Sequence, residues 1–510
     1  MTTIAVAQEG EAPDPGGVLM RQIDRRTFLR GSAATAGALV LGGPFQGFAA
    51  RAANAVGPAV PASVLGPVKD KRDGIVRLWL PRGFQYRSFH DTETPVTLPD
   101  GTALPGRHDG MAAFPGPGEN LFLVRNHEVN GPGAAFGPGD PYDAMARGGT
   151  TTIEVTPKGK VVDAFTSLNG TQMNCSGGPM PWGSWVTCEE TVNGPDVGPD
   201  FTTVSNVPLQ EPHGFIFEVP AGGQSDRAPI TSAGRFAHEA VAFDPVEGIL
   251  YLTEDNFAFP SGFYRYIPAT NPMDTGSLDN DGQLQMLAVV GRPNLILASA
   301  QTAGATFDVE WVDIEDPAPT FSYTPGQTAP TTNDTALVYV GNQGRAQGAA
   351  FFSRLEGSVY EDGVVYFTST QGGGAAPPGP ASWPLSVTGY GNGTGQVWGY
   401  RVEDQVLECV FQSPGAAVLD FPDNVTTSSR GTLILCEDSA GENFIRGLTR
   451  DGQLFDIALN QLRSAGGNAR FGDEFAGSTF SPDGSTLFVN IQASAGMTFA
   501  IWGPWARIGV

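Results

Sequence analysis

The sequence predicts an all-β fold of the propeller type in a single domain, and three observations predict it. Glycine and proline punctuate the chain too densely for long helices, with 68 Gly and 41 Pro among 510 residues. One block recurs six times: a polar or acidic residue, a short β-type run, a Gly or Asp-Gly turn, and a second run that often ends in an acid. The composition, 40% hydrophobic and 16% charged, is that of a globular chain. No apolar run reaches the roughly 18 residues that a membrane span requires.

The N-terminal segment reads as an address. Asp24-Arg25-Arg26-Thr27-Phe28-Leu29-Arg30, the weakly apolar Gly31 to Gly43 and the small residues from Phe48 to Ala55 resemble a bacterial twin-arginine export signal. The expectation is a cleaved signal and spacer over residues 1–55 and one propeller domain over 56–510, exported by the twin-arginine machinery to the periplasm or the medium. Four cysteines, Cys175, Cys188, Cys409 and Cys436, are too few for a disulfide scaffold in so long a secreted chain. One or two bridges, free thiols and metal-bound thiols all stay open.

The blocks follow. The first runs from His108-Asp109-Gly110 to Asn126-His127-Glu128. The others run from Asn174-Cys175 to Glu190, from His238-Glu239 to Asp255, from Arg354-Leu355-Glu356 to Thr368, from Asp423-Asn424 to Asp438, and from Glu474 to Asn490. With Asp109, Cys175, Glu239, Glu356, Asp423 and Glu474 as markers, the spacings are about 66, 64, 117, 67 and 51 residues, near or above the size of a four-stranded blade. Six blocks predict six blades, and the longest interval must hold an insertion or a seventh blade. Asp308 to Thr332, rich in acids, Pro and Thr, reads as an excursion over the propeller face with helical fragments at best. Gly131–Pro141 and Gly372–Pro384 read as loops between blades.

In a propeller the innermost strands line one channel, so a polar residue at the same point of each repeat sets a ring of side chains around one axis. Cys175, Glu239, Glu356, Asp423, Asn424 and Glu474 supply one sulfur and five oxygen donors, and Asn126, Glu128, Glu189, Glu190 and Glu254 stand beside them as ring partners. Carboxylates converging without cations repel one another, whereas hard cations satisfy them. A thiolate among them suits iron or zinc rather than calcium. The formal net charge of −24 argues against nucleic acid and anionic membrane as partners, and it is compatible with an anionic small substrate where bound cations reverse the local field. Cys188 and Cys409, flanked by apolar residues, read as core. His90 reads as structural, and His127, His213 and His238 as orienting hydrogen-bond partners. Asp279-Asn280-Asp281-Gly282 reads as a turn, since its Gly is misplaced for a calcium loop. No Gly-x-Ser-x-Gly elbow supports a serine hydrolase.

Asn174-Cys175-Ser176-Gly177-Gly178, Pro181-Trp182-Gly183-Ser184-Trp185-Val186-Thr187-Cys188-Glu189-Glu190, Gly234-Arg235-Phe236-Ala237-His238-Glu239 and Phe475-Ala476-Gly477-Ser478-Thr479-Phe480-Ser481-Pro482-Asp483-Gly484 together resemble the PhoX-type alkaline phosphatase family. Asn126-His127-Glu128 and Pro422-Asp423-Asn424 extend the resemblance, which covers the chain from the export signal to the last block. It implies a propeller whose channel holds ferric iron and calcium ions bridged by an oxo group and hydrolyses phosphomonoesters outside the cytoplasm. On that pattern Cys175 is the thiolate ligand to iron, Glu190, Glu239 and Glu356 are carboxylate ligands, and Asp423, Asn424 and Glu474 bind calcium, with Asn126 and Glu128 beside them. Arg354 matches an Arg that clamps phosphate oxygens, a role suited to its planar donor fork. Two departures mark a divergent member: Leu355 stands where the family motif usually carries Pro, and Gly177-Gly178 replaces the usual Asn-Gly. A small phosphomonoester is the expected partner, and a monomer the expected state.

Two other classes compete. A calcium-dependent propeller hydrolase, a lactonase or phosphotriesterase, would use the same acid ring without a thiolate ligand. A binding propeller that uses calcium only for structure would show an aromatic rim, and the eight Trp are scattered in sequence.

Overall fold

The computed structural model describes residues 64–278, 281–377, 379 and 389–510. Residues 1–55, read as the export signal, and Asp279 and Asn280 lie outside them. The regular structure of the described chain is almost all antiparallel strand, in six units. The first unit comprises His108–Pro115, Leu121–His127, Gly148–Val155 and Val161–Thr171, and the second Asn174–Met180, Ser184–Glu189 and Ile216–Pro220. The third comprises His238–Asp244, Ile249–Glu254, Phe263–Ile267 and Gln283–Val289, and the fourth Leu355–Glu361, Val364–Ser369, Gln396–Arg401 and Val406–Gln412. Pro422–Thr427, Leu433–Glu437, Phe444–Leu448 and Leu454–Asn460 make the fifth. Glu474–Phe480, Thr486–Gln492 and Met497–Trp502 make the sixth, whose outer strand is the N-terminal Gln85–Phe89. Two more N-terminal strands, Leu65–Lys69 and Val76–Pro81, extend the fifth unit.

The innermost strand of each unit packs beside that of the next, and the sixth packs beside the first. The apolar side chains confirm this circular order, because the core is a set of layers between consecutive units. Phe217 and Trp185 meet Ala112 and Val124 between units one and two, and Leu252 and Tyr264 meet Val186 and Met180 between two and three. Phe263 packs on Phe367 between three and four, and Val397 on Val425 between four and five. Ile434 and Phe455 pack with Leu487 and Phe499 between five and six, and Phe488 with Leu123 between six and one. The second strands thus bury both faces, which explains their near-continuous apolar runs.

The long interval between the third and fourth blocks holds an insertion. Thr306–Asp313 pairs with the outer strands of both units and joins their edges. The expected excursion over 308–332 is therefore strand as far as Asp313. The loop beyond it lies on the second and third units, with Arg235 donating to Pro319 O and Gly198 N to Thr331 O. The helices Asn333–Leu337 and Tyr339–Ala346 start only after it, the first capped by the Thr332 side chain. The loops expected between blades lie inside units. Gly131–Pro141 links the second and third strands of the first unit, and the described part of Gly372–Pro384 does so in the fourth.

Candidate metal centre

Every innermost strand carries a β-bulge at the same point, so that two residues oppose one on the second strand. The bulged pairs are Asp109-Gly110, Cys175-Ser176, Glu239-Ala240, Glu356-Gly357, Asp423-Asn424 and Gly477-Ser478. A bulge re-aims one side chain out of the ordinary alternation, and here the first residue of the pair turns toward the axis in five units. The second residue is Gly, Ala or Ser in five units, Asn424 being the exception, because the next bulge is close. A Cβ on Gly357 would stand 2.8 Å from Asn424 Cα. The residue opposite the bulge staples one unit to the next: Asn126 Nδ2 donates to Cys175 O at 2.9 Å, Thr253 Oγ1 to Glu356 O at 2.6 Å, and Thr368 Oγ1 to Asp423 O at 2.5 Å. Cys188 and Cys436 occupy the same opposing position and are buried thiols, as is Cys409; no described cysteine is in a disulfide.

A second repeat brings further acids. The residue after each of five second strands donates its N–H to the carbonyl just before the innermost strand: Glu128 to Arg107, Glu190 to Met173, Asp255 to Ala237, Thr370 to Arg354 and Asp438 to Phe421. Asp109, Glu239, Glu356 and Asp423 from the bulges, Glu128, Glu190, Asp255 and Asp438 from these corners, and Glu474 thus converge on one end of the channel. Nine carboxyls face two guanidiniums, Arg107 and Arg354. Burial pushes Glu239 well above the usual carboxylate range, and Glu356, Glu190, Asp423 and Asp109 push it further. Glu190, Glu356 and Glu474 are raised for the same two reasons, and Asp423 is pushed up to about 8 by burial and Asp438. Burial likewise raises the Cys175 thiol, which lies 3.3 Å from His238 O.

Two donor sets stand out. Cys175, Glu190 and Glu239 bring one ligand atom each within 4.8 Å of one another, and so do Glu239, Glu356 and Asp423. Glu239 belongs to both. A donor set of one sulfur and many oxygens, with carboxyls raised by burial and by one another, fits cations well.

Arg354 enters from the fourth unit. Its Nε and Nη2 lie 3.1 and 3.0 Å from Asp255 Oδ2, and Nη2 lies 2.8 Å from Glu356 Oε1, while Nη1 has no protein partner among the described residues. Its backbone is left-handed, φ 42°, a strained state for a residue other than glycine that the neighbouring strands hold in place. Leu355, the departure from the family motif, is fully buried and packs between the third and fourth units.

The remaining expected residues divide. Glu128 and Glu474 are in the cluster, Glu128 paired with Arg107 and Glu474 beside Asp438. Asn424 donates to Ser176 Oγ at 2.9 Å across the ring and accepts from Ser478 N. Asn126 is a brace rather than a ligand, because its Nδ2 donates to Cys175 O and Ser176 O and its Oδ1 accepts from Trp185 Nε1 and Thr187 Oγ1. Glu189 and Glu254 also turn away: Glu189 accepts from His213, Gly214 N and Phe215 N, and Glu254 from Gly262 N and Tyr264 Oη. Asp109, a repeat marker not assigned to the ring, joins the cluster from its bulge, and Asp255, Asp438 and Arg107 stand there although sequence reasoning did not assign them. Their shared position after a second strand, or two before a bulge acid, is the signal that finds them.

The alkaline phosphatase PhoX family model matches residues 64–495. The chain belongs to the PhoX alkaline phosphatase family. A twin-arginine translocation signal matches residues 22–42, so this PhoX-family phosphatase is exported to the periplasm or beyond. Pseudomonas fluorescens PhoX in complex with vanadate is similar in structure, with TM-score 0.59 and 16% identity over 87% of this chain and 97% of that one. A Xanthomonas campestris gluconolactonase aligns at TM-score 0.35 and 12% identity, over 88% of this chain and 98% of that one. A Dyadobacter fermentans protein of unknown function aligns at TM-score 0.42 and 8% identity, over 82% and 99%. No curated protein matches the chain. None of the helices among the described residues is long and apolar enough to cross a membrane.

Proposed function

We propose that this PhoX-family enzyme hydrolyses small phosphomonoesters as a monomer, with ferric iron and calcium held in the channel of a six-bladed propeller over residues 56–510. The observation that carries the reading is the pair of donor sets sharing Glu239, one with a thiol and one of oxygens alone. A lone sulfur among carboxylates suits iron, and an all-oxygen set suits calcium. Cys175, Glu190 and Glu239 would hold iron, Glu239 being common to both sets, and Glu356, Asp423, Asn424, Glu128 and Glu474 would hold calcium. Bound there, the cations supply charge neutralisation for a phosphoryl dianion and lower the pKa of water.

The chain's own residues do the positioning. Arg354 receives the phosphoryl oxygens through Nη1, and Asp255 and Glu356 fix the plane of its fork. Thr370 Oγ1, 3.1 Å from Glu356 Oε1, orients that carboxylate. The carboxyls release their protons as cations enter, which makes loading pH-dependent.

The test is hydrolysis of a chromogenic phosphomonoester by protein purified with its native metals, before and after chelation, with calcium restored to half of the stripped sample. Turnover that returns with calcium, alone or with iron, is expected. Cys175→Ser is expected to lose iron, and Arg354→Ala to lower kcat/KM about 100-fold. An inactive metal-loaded sample would overturn the phosphomonoesterase reading.

A further inference from the structure

Arg107 and Arg354 are the same residue of the repeat. Each stands two positions before a bulge acid, Asp109 or Glu356, and each has a left-handed backbone, φ 47° and 42°. Each sets Nε and Nη2 side-on to one carboxylate oxygen, Glu128 Oε2 or Asp255 Oδ2, with Arg107 Nε also donating to Glu128 O; the two acids share one repeat position, Glu128 in the unit of Arg107 itself and Asp255 in the unit before that of Arg354. In both, Nη1 has no protein partner among the described residues. The first and fourth units lie opposite each other in a ring of six neighbours. The two forks therefore face one channel end from opposite sides, and Asp438 of the fifth unit feels the charge of both. They differ in depth: the Arg107 side chain is 39% exposed and that of Arg354 16%.

From this geometry we infer that Arg107 is a second anion-binding residue at the channel mouth, which selects phosphomonoesters whose leaving group carries a further anionic group. The inference rests on the phosphatase reading, in which Arg354 takes the phosphoryl end. The deeper guanidinium then holds the group that is common to all substrates, and the outer one meets whatever the ester oxygen bears. A carboxylate or second phosphate there accepts from Nη1. A neutral alcohol leaves it in water.

Phosphoglycerate and glycerol phosphate share a carbon skeleton and differ in one carboxylate, so their kcat/KM ratio isolates the effect. Wild-type enzyme is expected to favour phosphoglycerate about tenfold or more, Arg107→Gln to lose that preference through KM, and Arg107→Lys to keep part of it. Metal content is measured on all three proteins. If Arg107→Gln loses metal, Arg107 acts on Glu128, and Arg107→Lys, which retains the charge, decides: metal retained with the preference reduced supports the inference, and an unchanged preference overturns it. A wild-type enzyme without preference, or a glutamine variant that keeps it, also overturns the inference. If the wild type hydrolyses neither ester, the phosphatase reading fails separately. Calorimetric binding of the two esters to the metal-loaded protein then decides, with tighter phosphoglycerate binding lost in Arg107→Gln supporting the inference and equal binding overturning it.

Discussion

Neighbouring acids at the ends of second strands have opposite fates. Glu189, Glu254 and Glu437 face back into their own units and accept backbone or side-chain donors, while Glu190, Asp255 and Asp438 face the channel. One turned-back acid holds a buried charge. His213 Nδ1 lies 2.6 Å from Glu189 Oε1 and Nε2 3.4 Å from Asp143 Oδ2. Burial opposes its protonation, yet the two carboxylates prevail and hold its pKa at about 9, above the ordinary 6.5. A raised pKa stabilises the fold fully below 6.5, and that contribution fades as pH climbs through about 9. His213→Asn is expected to lose on the order of 3 kcal/mol near pH 6 and little at pH 10, measured by denaturant unfolding. A flat difference across that range would show the histidine to be neutral. Cys175, Glu190, Glu239 and Glu356 were legible in the sequence as residues brought together. Which of two adjacent acids faces the axis was not, because the alternation of a strand does not say where the strand stops alternating.

The bulge is the element on which the centre is built, and the sixth unit shows what it demands. Gly477 occupies the position that carries Asp, Cys or Glu elsewhere, with φ 59°, and a Cβ there would lie 2.2 Å from Asp109 O. The close approach of two inner strands excludes any side chain, and Glu474 contributes instead from the start of the strand. Gly477→Ala should therefore destabilise the protein by about 2 kcal/mol or more and separate Asp109 from the other acids. Thermal unfolding of the metal-free protein would show it, and an unchanged Tm would mean that the sixth bulge yields freely. The recurring blocks revealed all six inner hairpins, since alternation and turn residues act locally. Glu474 was aligned with the other markers although it lies three residues before the equivalent Gly477, because a missing side chain leaves no mark for a reader of acids. The loops inside the first and fourth units were read as boundaries for a related reason: Gly and Pro mark a connection without saying which strands it joins.

At the scale of the molecule, acids outnumber bases, 53 to 29, and much of the conflict gathers at one channel end. Carboxyls raised by burial and by each other favour the folded state only while protonated, so the metal-stripped protein should lose stability as pH rises, with Asp423 turning near pH 8. Scanning calorimetry in chelator is expected to show a lower Tm at pH 8 than at pH 5, and restored cations should remove most of the difference. Equal values in chelator would mean that water, not cations, relieves the acids.

The sixth unit takes its outer strand, Gln85–Phe89, from the beginning of the described chain and its other three from the end. Ser88 Oγ donates to Asp70 Oδ2 at 2.5 Å, and Asp70 pairs with Arg77, so this first segment is itself held firmly. The ring cannot close before Met497–Trp502 has been made and has met Gln85–Phe89, because that pairing completes the sixth unit. Glu474, Asp438 and the Arg107 corner meet only then. The carboxyls of the channel end are therefore not all in place until the first and last strands of the sixth unit, far apart in sequence, have found each other.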